Sequence, residues 1–366
     1  MKSYGSRVLR TLRLHSVSHL ALVAGCLALH AAPLRAQDGA NDPSFNPLDS
    51  GLFGVGPNAE AWRIALQPDG KALITGAFTE YNGVPRPGIA RVNSNGSLDL
   101  GFDPGGGAIG QISTLALTPN GRVLVAGSFT NFGASGAAGL TRLLPNGDVD
   151  SSFSAALPFG TALSSVELQP DGRVLVAGAI PGGAGSDKSV RRLFSDGTFD
   201  PSFDAGVGAA PAFTSFPNCL ELQPDGKLLV GGSFATFGGV ARPNLVRLNA
   251  DGTVDTSFAA AGGPNGGVNN IHLQPDGRVL ITGSFTAFAG VARGRVARLH
   301  TDGSLDLSFD VGTGPSSQVL TSVLQADGKL LVGGAFSSIN GVFASLYGRL
   351  NGDGSVDTSF ATTQAM

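Results

Sequence analysis

The pattern with the clearest chemical meaning is an arginine eight positions before an aspartate, present six times: Arg91/Asp99, Arg142/Asp150, Arg192/Asp200, Arg247/Asp255, Arg298/Asp306 and Arg349/Asp357. Each pair flanks an Asn-Gly or Asp-Gly turn. In a hairpin closed by that turn the two residues fall opposite each other. Opposed guanidinium and carboxylate groups form an ion pair, and six equivalent pairs point to structure rather than catalysis. The competing reading is that each aspartate caps its own turn through the serine that follows.

Other reactive residues are sparse. Of the 27 acidic residues, 16 sit at repeated turn or Asp-x-Ser-Phe positions. Outside that pattern stand chiefly Glu60, Glu80, Glu167, Asp187 and Glu221, and the sequence alone pairs no two of them. Paired carboxylates are what glycosidic hydrolysis needs, so these residues carry the enzymatic reading. Downstream of the leader the chain has two histidines, His272 and His300, and one cysteine, Cys219, which argues against a zinc centre or a histidine-dependent triad. Asn249/Asp251/Asp255 and Asn351/Asp353/Asp357 resemble cation loops. Calcium wants about six to eight oxygens, however, and the first position is Leu144, Phe194 or His300 in other copies, so a hairpin turn is the better reading. Trp62 is the single tryptophan, at a strand position held elsewhere by Ser113, Ser164, Asn218, Asn269 and Leu320. It is suited to stacking on a sugar or to packing where the first repeat meets the last. Glycine-rich stretches such as 103–111 and 260–268 lack the lysine and helix of a phosphate loop. No catalytic, cofactor-binding or metal-binding residue is assigned from the sequence.

The elements that would position these residues come from a repeat. Gly70, Gly121, Gly172, Gly226, Gly277 and Gly328 end a Gln-Pro-Asp-Gly turn or its variants, at steps of 51, 51, 54, 51 and 51 residues. Each copy predicts four strands. The first alternates, and the second is a continuous apolar run such as "RVLVAG", as expected of a strand covered on both faces. The third precedes the Asn-Gly or Asp-Gly turn, and the fourth leads to Asp-x-Ser-Phe, whose first full copy has Gly101 in place of serine. The Asn93–Ser97 turn pairs 93 with 97, 92 with 98 and 91 with 99. A four-stranded unit cannot bury both faces alone. Radial stacking in a β-propeller of six four-stranded blades solves this, with a linear β-solenoid as the alternative. An extra Asp42-Pro43-Ser44-Phe45 precedes the first copy and would latch the ring if it supplied a strand.

Residues 1–36 have a basic start (Lys2, Arg7, Arg10, Arg13), an apolar stretch from Leu20 to Ala32, and Pro33-Leu34-Arg35-Ala36 before Gln37. This is the layout of a cleaved signal peptide, and the stretch is short for a membrane span. Val23-Ala24-Gly25-Cys26 offers lipidation at Cys26 as a second route. Removing the segment takes five of the 24 basic groups and none of the 27 acidic ones, leaving a net charge of about −8. Such a charge gives no attraction to nucleic acid or anionic lipid.

With "LQPDGKxLVGGxF" followed by "RLNxDGSxDxSF", the chain resembles the delta-60 repeat family, exported bacterial repeat proteins of β-propeller type, over nearly all of residues 42–360. The resemblance implies export and a propeller-like fold, and it brings no catalytic residues. The third copy departs from it, with Ile180-Pro181-Gly182-Gly183 after the apolar strand. The sequence therefore reads as a signal peptide over 1–36 and a six-repeat domain over 37–366. It is expected to be secreted, periplasmic or on the cell surface, monomeric and without cofactor. It would act as a non-enzymatic binding or scaffold module for a surface protein or glycan. The alternative is a hydrolase or lyase acting on polysaccharide.

Overall fold

The computed structural model describes residues 56–155, 157–182, 188–206, 208–210, 216–258 and 262–360. The leader, Cys26, Asp42–Phe45 and Asp187 lie outside the described residues. Every regular element among them is a β-strand. Six antiparallel three-stranded sheets follow one another along the chain. Their inner strands are Ala61–Leu66, Ile112–Leu117, Ala162–Leu168, Phe216–Leu222, Val268–Leu273 and Val319–Leu324, and they define blades 1 to 6. In blade 1 the middle strand is Ala72–Gly76 and the outer strand Ile89–Val92.

Each middle strand is apolar on both faces because each face belongs to a different core. Leu124 and Ala126 of blade 2 pack with Phe153, Val166 and Val176 of blade 3. The alternate residues Val123 and Val125 pack with Leu73 and Ile89 of blade 1. The same sharing joins blades 3 to 4, 4 to 5 and 5 to 6. The phenylalanine after the middle strand, as in Phe78, Phe129, Phe285 and Phe336, is fully buried in these layers. In blade 3 the strand runs on to Ile180, which takes that buried place.

The fourth strand is shorter than the sequence predicts. It contributes an isolated bridge in each blade: Val92 with Leu98, and likewise Leu143/Val149, Leu193/Phe199, Leu248/Val254, Leu299/Leu305 and Leu350/Val356. The register is as expected, with the Asn93 amide donating to Ser97 and the Asp99 amide to Arg91. Pairing stops there because the aspartate bends the chain into its own turn, the Phe102 amide donating back to the Asp99 carbonyl.

Both readings of that aspartate hold at once, one for each carboxylate oxygen. Oδ2 accepts from the arginine Nε at 2.7–2.8 Å in all six blades. Oδ1 accepts the amide two residues on, at 2.9–3.0 Å. Serine hydroxyls add a bond at 2.6 Å in five blades. A second cation, such as Lys71, Lys227 or Lys329, reaches Oδ2 at 2.8 Å. Arg122 and Arg173 come as near, at 3.0 and 3.1 Å, but are in charge contact without hydrogen-bond alignment.

The guanidinium does more. It lies over the phenylalanine of Asp-x-Ser-Phe, 4.5–4.9 Å from the ring centre. Its Nη1 donates to a turn carbonyl of the next blade, from Arg91 to Pro145, Arg142 to Ser195, Arg192 to Ala250, Arg247 to Thr301 and Arg298 to Gly352, at 2.6–2.7 Å. One side chain thus closes its own hairpin and clamps its successor.

Successive inner strands pack side by side from blade 1 to blade 6. The set curves round an axis. Arg63 of blade 1 is near enough to Cys219 of blade 4 for its charge to act on the thiol. In a linear stack those sheets would stand about 30 Å apart, at about 10 Å per packed sheet. The arrangement is that of a propeller and not a solenoid. Blades 6 and 1 approach less closely than the other neighbours, and among the described residues no strand pairing joins them.

A backbone constraint repeats with the blades. The inner strand bulges opposite the end of the middle strand, with Trp62, Ser113, Ser164, Asn218, Asn269 or Leu320 as the extra residue. The middle strand carries glycine there. A Cβ on Gly283 would stand 2.0 Å from the Gly267 carbonyl oxygen, and one on Gly76 1.9 Å from that of Glu60.

Two predictions follow from these contacts. Gly283→Ala costs about 3 kcal/mol in denaturant unfolding, whereas Gly328→Ala, with open space around its Cβ but φ +83, costs about 1 kcal/mol; equal costs contradict the bulge account. Burial alone would raise Asp99, but hydrogen bonds from Lys71, the Gly101 amide and Arg91 hold it near 2. The equivalent Asp306 is likewise held near 2 and Asp255 still lower. Folded values below the unfolded value of about 3.9 make this stability fully present above that pH and lost as pH falls towards about 2. Asp255→Asn therefore lowers stability at pH 7 by about 2–4 kcal/mol and reduces its loss between pH 4 and 2; an unchanged melting temperature contradicts it.

Candidate functional site

The inner strands line the axis, and their residues are the part of the repeat that varies. The bulge carries an extra polar residue in four blades, and the polar side chains of blades 3 to 6 bridge from strand to strand. Ser165 Oγ accepts from the Leu220 amide at 3.2 Å, and Asn269 Nδ2 donates to the Val319 carbonyl at 2.8 Å. Asn270 Nδ2 contacts Leu320 O and Thr282 Oγ1, both at 3.2 Å. Thr282 Oγ1 meets Ser322 Oγ at 2.9 Å, which meets His272 Nε2 at 2.8 Å.

Glu167, Glu221 and His272 occupy one slot in blades 3, 4 and 5, two residues before the glutamine of the Gln-Pro turn. Ala65, Ala116 and Val323 fill it in blades 1, 2 and 6. Burial, then the charge of Glu221, raises Glu167 to about 7. Burial raises Glu221 to about 7 against a bond from the Leu273 amide. Each shows part of its surface to the channel, yet protein encloses it, and the enclosure is what disfavours its charge. Burial lowers His272 to about 4, against its bond to Ser322, so it is neutral at pH 7. Burial pushes the Cys219 thiol up to about 12.

A cavity of about 940 Å³ opens beside the Gln-Pro turns of blades 1 to 3. Leu66, Leu115, Leu117, Val166 and Leu168 form its apolar wall, and Glu167 is the one ionisable side chain in its lining. The buried Oε1 atoms of Gln67 and Gln169 at its edge lack partners, but so do those of Gln223, Gln274 and Gln325 away from it, so this is a property of the repeat. The arrangement offers an apolar seat with one carboxyl that exchanges a proton near neutral pH.

Of the off-repeat acids singled out by sequence, the structure brings Glu167 within electrostatic reach of Glu221 and leaves Glu60 and Glu80 apart from them. Glu80 lies in a small hairpin with Pro85, and Glu60 accepts from Trp62 Nε1 at 3.2 Å at the opposite end of the inner strand from Glu221. Trp62 is half-buried at its bulge. Asp251 and Asp353 are engaged in their own turns, accepting from Thr253 and Ser355 at 2.7–3.0 Å. Among the described residues no three His, Cys, Asp or Glu side chains converge as a metal site, and no helix is long and apolar enough to cross a membrane. The Glu167–Glu221–His272 slot was visible in the aligned copies as three ionisable residues in one column. It was missed because the acids were weighed singly rather than by column.

The raised carboxyls set a pH dependence. At these two carboxyls the folded chain keeps protons that the unfolded chain releases between about pH 4.5 and 7, so their contribution to stability falls as pH rises through that interval and levels above it, while His272, neutral in the fold, contributes the opposite slope between about pH 4 and 6.5. Replacing both Glu167 and Glu221 by glutamine removes this fall, about 1–2 kcal/mol per carboxyl after allowance for channel water. Melting curves from pH 4.5 to 8 check it, and an unchanged slope contradicts it.

Comparison with known proteins matches this geometry. No curated protein matches the sequence. Among solved structures, puromycin hydrolase is 17% identical with a TM-score of 0.51, over 86% of this chain and 48% of that one. A protein of unknown function from Bacteroides caccae is 16% identical with a TM-score of 0.42, over 67% and 80%. The extracellular domain of the one-component system BT4673 from B. thetaiotaomicron is 12% identical with a TM-score of 0.48, over 78% and 33%. At such identities the first likeness is one of fold alone, and the other two carry no argument. A family model matches six times, over 67–102, 118–153, 169–203, 223–258, 274–309 and 325–360, which is more than half of the chain and falls once in each blade, from the turn after the inner strand to the closing phenylalanine. The chain belongs to the DUF5122 β-propeller family, a domain of unknown function.

Proposed function

We propose that this chain is an exported, non-enzymatic β-propeller that serves as a binding module for a glycan or surface protein, its signal peptide being 1–36 and its propeller 37–366. The delta-60 resemblance and the leader layout support export to the periplasm, the cell surface or the medium. The observation that carries the binding role is the cavity at the mouth of blades 1 to 3, apolar in wall and bearing Glu167. Concave, mostly apolar pockets with a few polar groups are the usual form of a ligand site. The repeated acids and arginines are engaged in blade structure, which leaves the channel residues to recognise a partner.

The second reading, a hydrolase or lyase acting on polysaccharide, draws on Glu167 and Glu221, since carboxyls near 7 suit general acid and base work. Of this pair Glu167 lines the cavity and Glu221 is not among its lining residues, so binding is the preferred reading.

The test is a glycan and envelope-protein binding screen on the mature chain. Leu117→Trp, which pushes an indole ring into the cavity wall, is expected to weaken any mouth ligand at least tenfold. Binding unaffected by Leu117→Trp contradicts this site. Release of oligosaccharide that Glu167→Gln abolishes supports the enzyme instead.

A further inference from the structure

Seven arginines of the described chain can be compared by what they bond. Each of the six clamp arginines pairs with a carboxylate and lies over a phenylalanine. Arg63 does neither. It follows the bulge residue of the blade 1 inner strand, where the other blades carry Thr114, Ser165, Cys219, Asn270 and Thr321. Among the described residues its side chain makes one hydrogen bond, from Nη1 to the neighbouring Trp62 carbonyl at 3.2 Å. Among the described residues no carboxylate oxygen forms an ion pair with it within 4.0 Å, and the one ionisable group whose charge acts on it is the Cys219 thiol, which burial keeps protonated.

The residue facing Arg63 is also unsatisfied. Thr75 pairs with it across the inner and middle strands. Thr75 is fully buried, and its hydroxyl has no partner. Blade 5 shows what a satisfied version looks like. There Asn270 pairs with Thr282, and the two are bonded to each other and to blade 6. Blade 1 has a cation in the place of that asparagine and an unused hydroxyl in the place of that bonded threonine. An enclosed charge without a counter-ion is costly, and a guanidinium with unused donors is a fork for an oxygen pair.

We propose that Arg63 is the anchor of an anion site inside the channel, taking a carboxylate or phosphate group of a ligand small enough to enter. The site is separate from the mouth cavity, whose walls come from the opposite ends of the inner strands, and it does not depend on that cavity binding anything. Carboxylate and phosphate share the same recognition chemistry, and the two arms of the test tell them apart.

The mature chain is titrated with sodium phosphate, and separately with sodium glucuronate, against sodium chloride at matched ionic strength. Melting temperature and calorimetric heat are read. One of the two anions is expected to raise the melting temperature in a saturable way that chloride does not reproduce. Arg63→Gln is expected to fold, to melt no lower than the parent in chloride, and to weaken that anion at least tenfold. Arg63→Lys, which keeps the charge but not the fork, is expected to fall between them. Leu117→Trp, which alters the mouth, is expected to leave the response intact, so failure of the mouth site and failure of this one are distinguishable. Absence of a saturable response to either anion overturns the proposal. So does an equal response in Arg63→Gln, or a large loss of stability in that variant in chloride, which would mark Arg63 as a structural residue.

Discussion

One guanidinium per blade does three jobs, and the architecture depends on their coincidence. It neutralises the aspartate opposite it in the hairpin, covers the phenylalanine that ends the blade and, in blades 1 to 5, donates to a carbonyl in the blade that follows. Exposed ion pairs contribute little, because water competes for both partners. Here the aspartate side chains are 1–11% exposed and the arginines 5–13%, so the competition is weak. The pair costs desolvation, and the additional bonds to the amide, the serine and the next blade offset it. A lysine has the charge but not the planar fork, and meets only part of these demands.

The apolar layers use the same logic of sharing. A middle strand that alternates apolar and polar could serve one core. A strand apolar on both faces serves two, and so binds each blade to both neighbours. With the clamp, the bulge glycine and the shared cores all assigned to the repeat, the inner strand keeps freedom at the slots that face the axis. The asymmetry of the molecule collects there: Glu167, Glu221 and His272 on one side, Arg63 and Trp62 on another, and an apolar wall from blades 1 to 3. Six equal sheets hold unequal side chains about one line, which is how a repeat gains a specific site.

Much of this was legible from residue spacing. The Asn-Gly and Asp-Gly turns set the hairpin register, and the register predicted the Arg–Asp pair. The steps of 51 residues set the blade number. Spacing does not say which atoms meet, so whether Asp255 paired with Arg247 or capped its own turn stayed open, and the structure shows each carboxylate oxygen taking one role. Spacing also overcounted the strands. The run from Ser97 to Phe102 alternates like a strand, but Asp99 bends it into a turn after one bridge. The nearness of blades three apart, as where the Arg63 charge acts on Cys219, follows from curvature about an axis, and no local pattern encodes it. The leader and the Asp42–Phe45 motif fall outside the described residues, and how the first and last blades meet was not legible from the repeat.

The claim that each blade holds the next through its arginine is tested most directly by native-state hydrogen exchange on Arg247→Lys. The account predicts faster exchange both in the blade 4 hairpin, at the Asp255 amide, and in the blade 5 turn that Arg247 reaches, around Thr301 and Gly303, with the remaining blades unchanged. Loss of protection confined to blade 4 would contradict it, since the bond to the next blade would then contribute nothing to holding the two together.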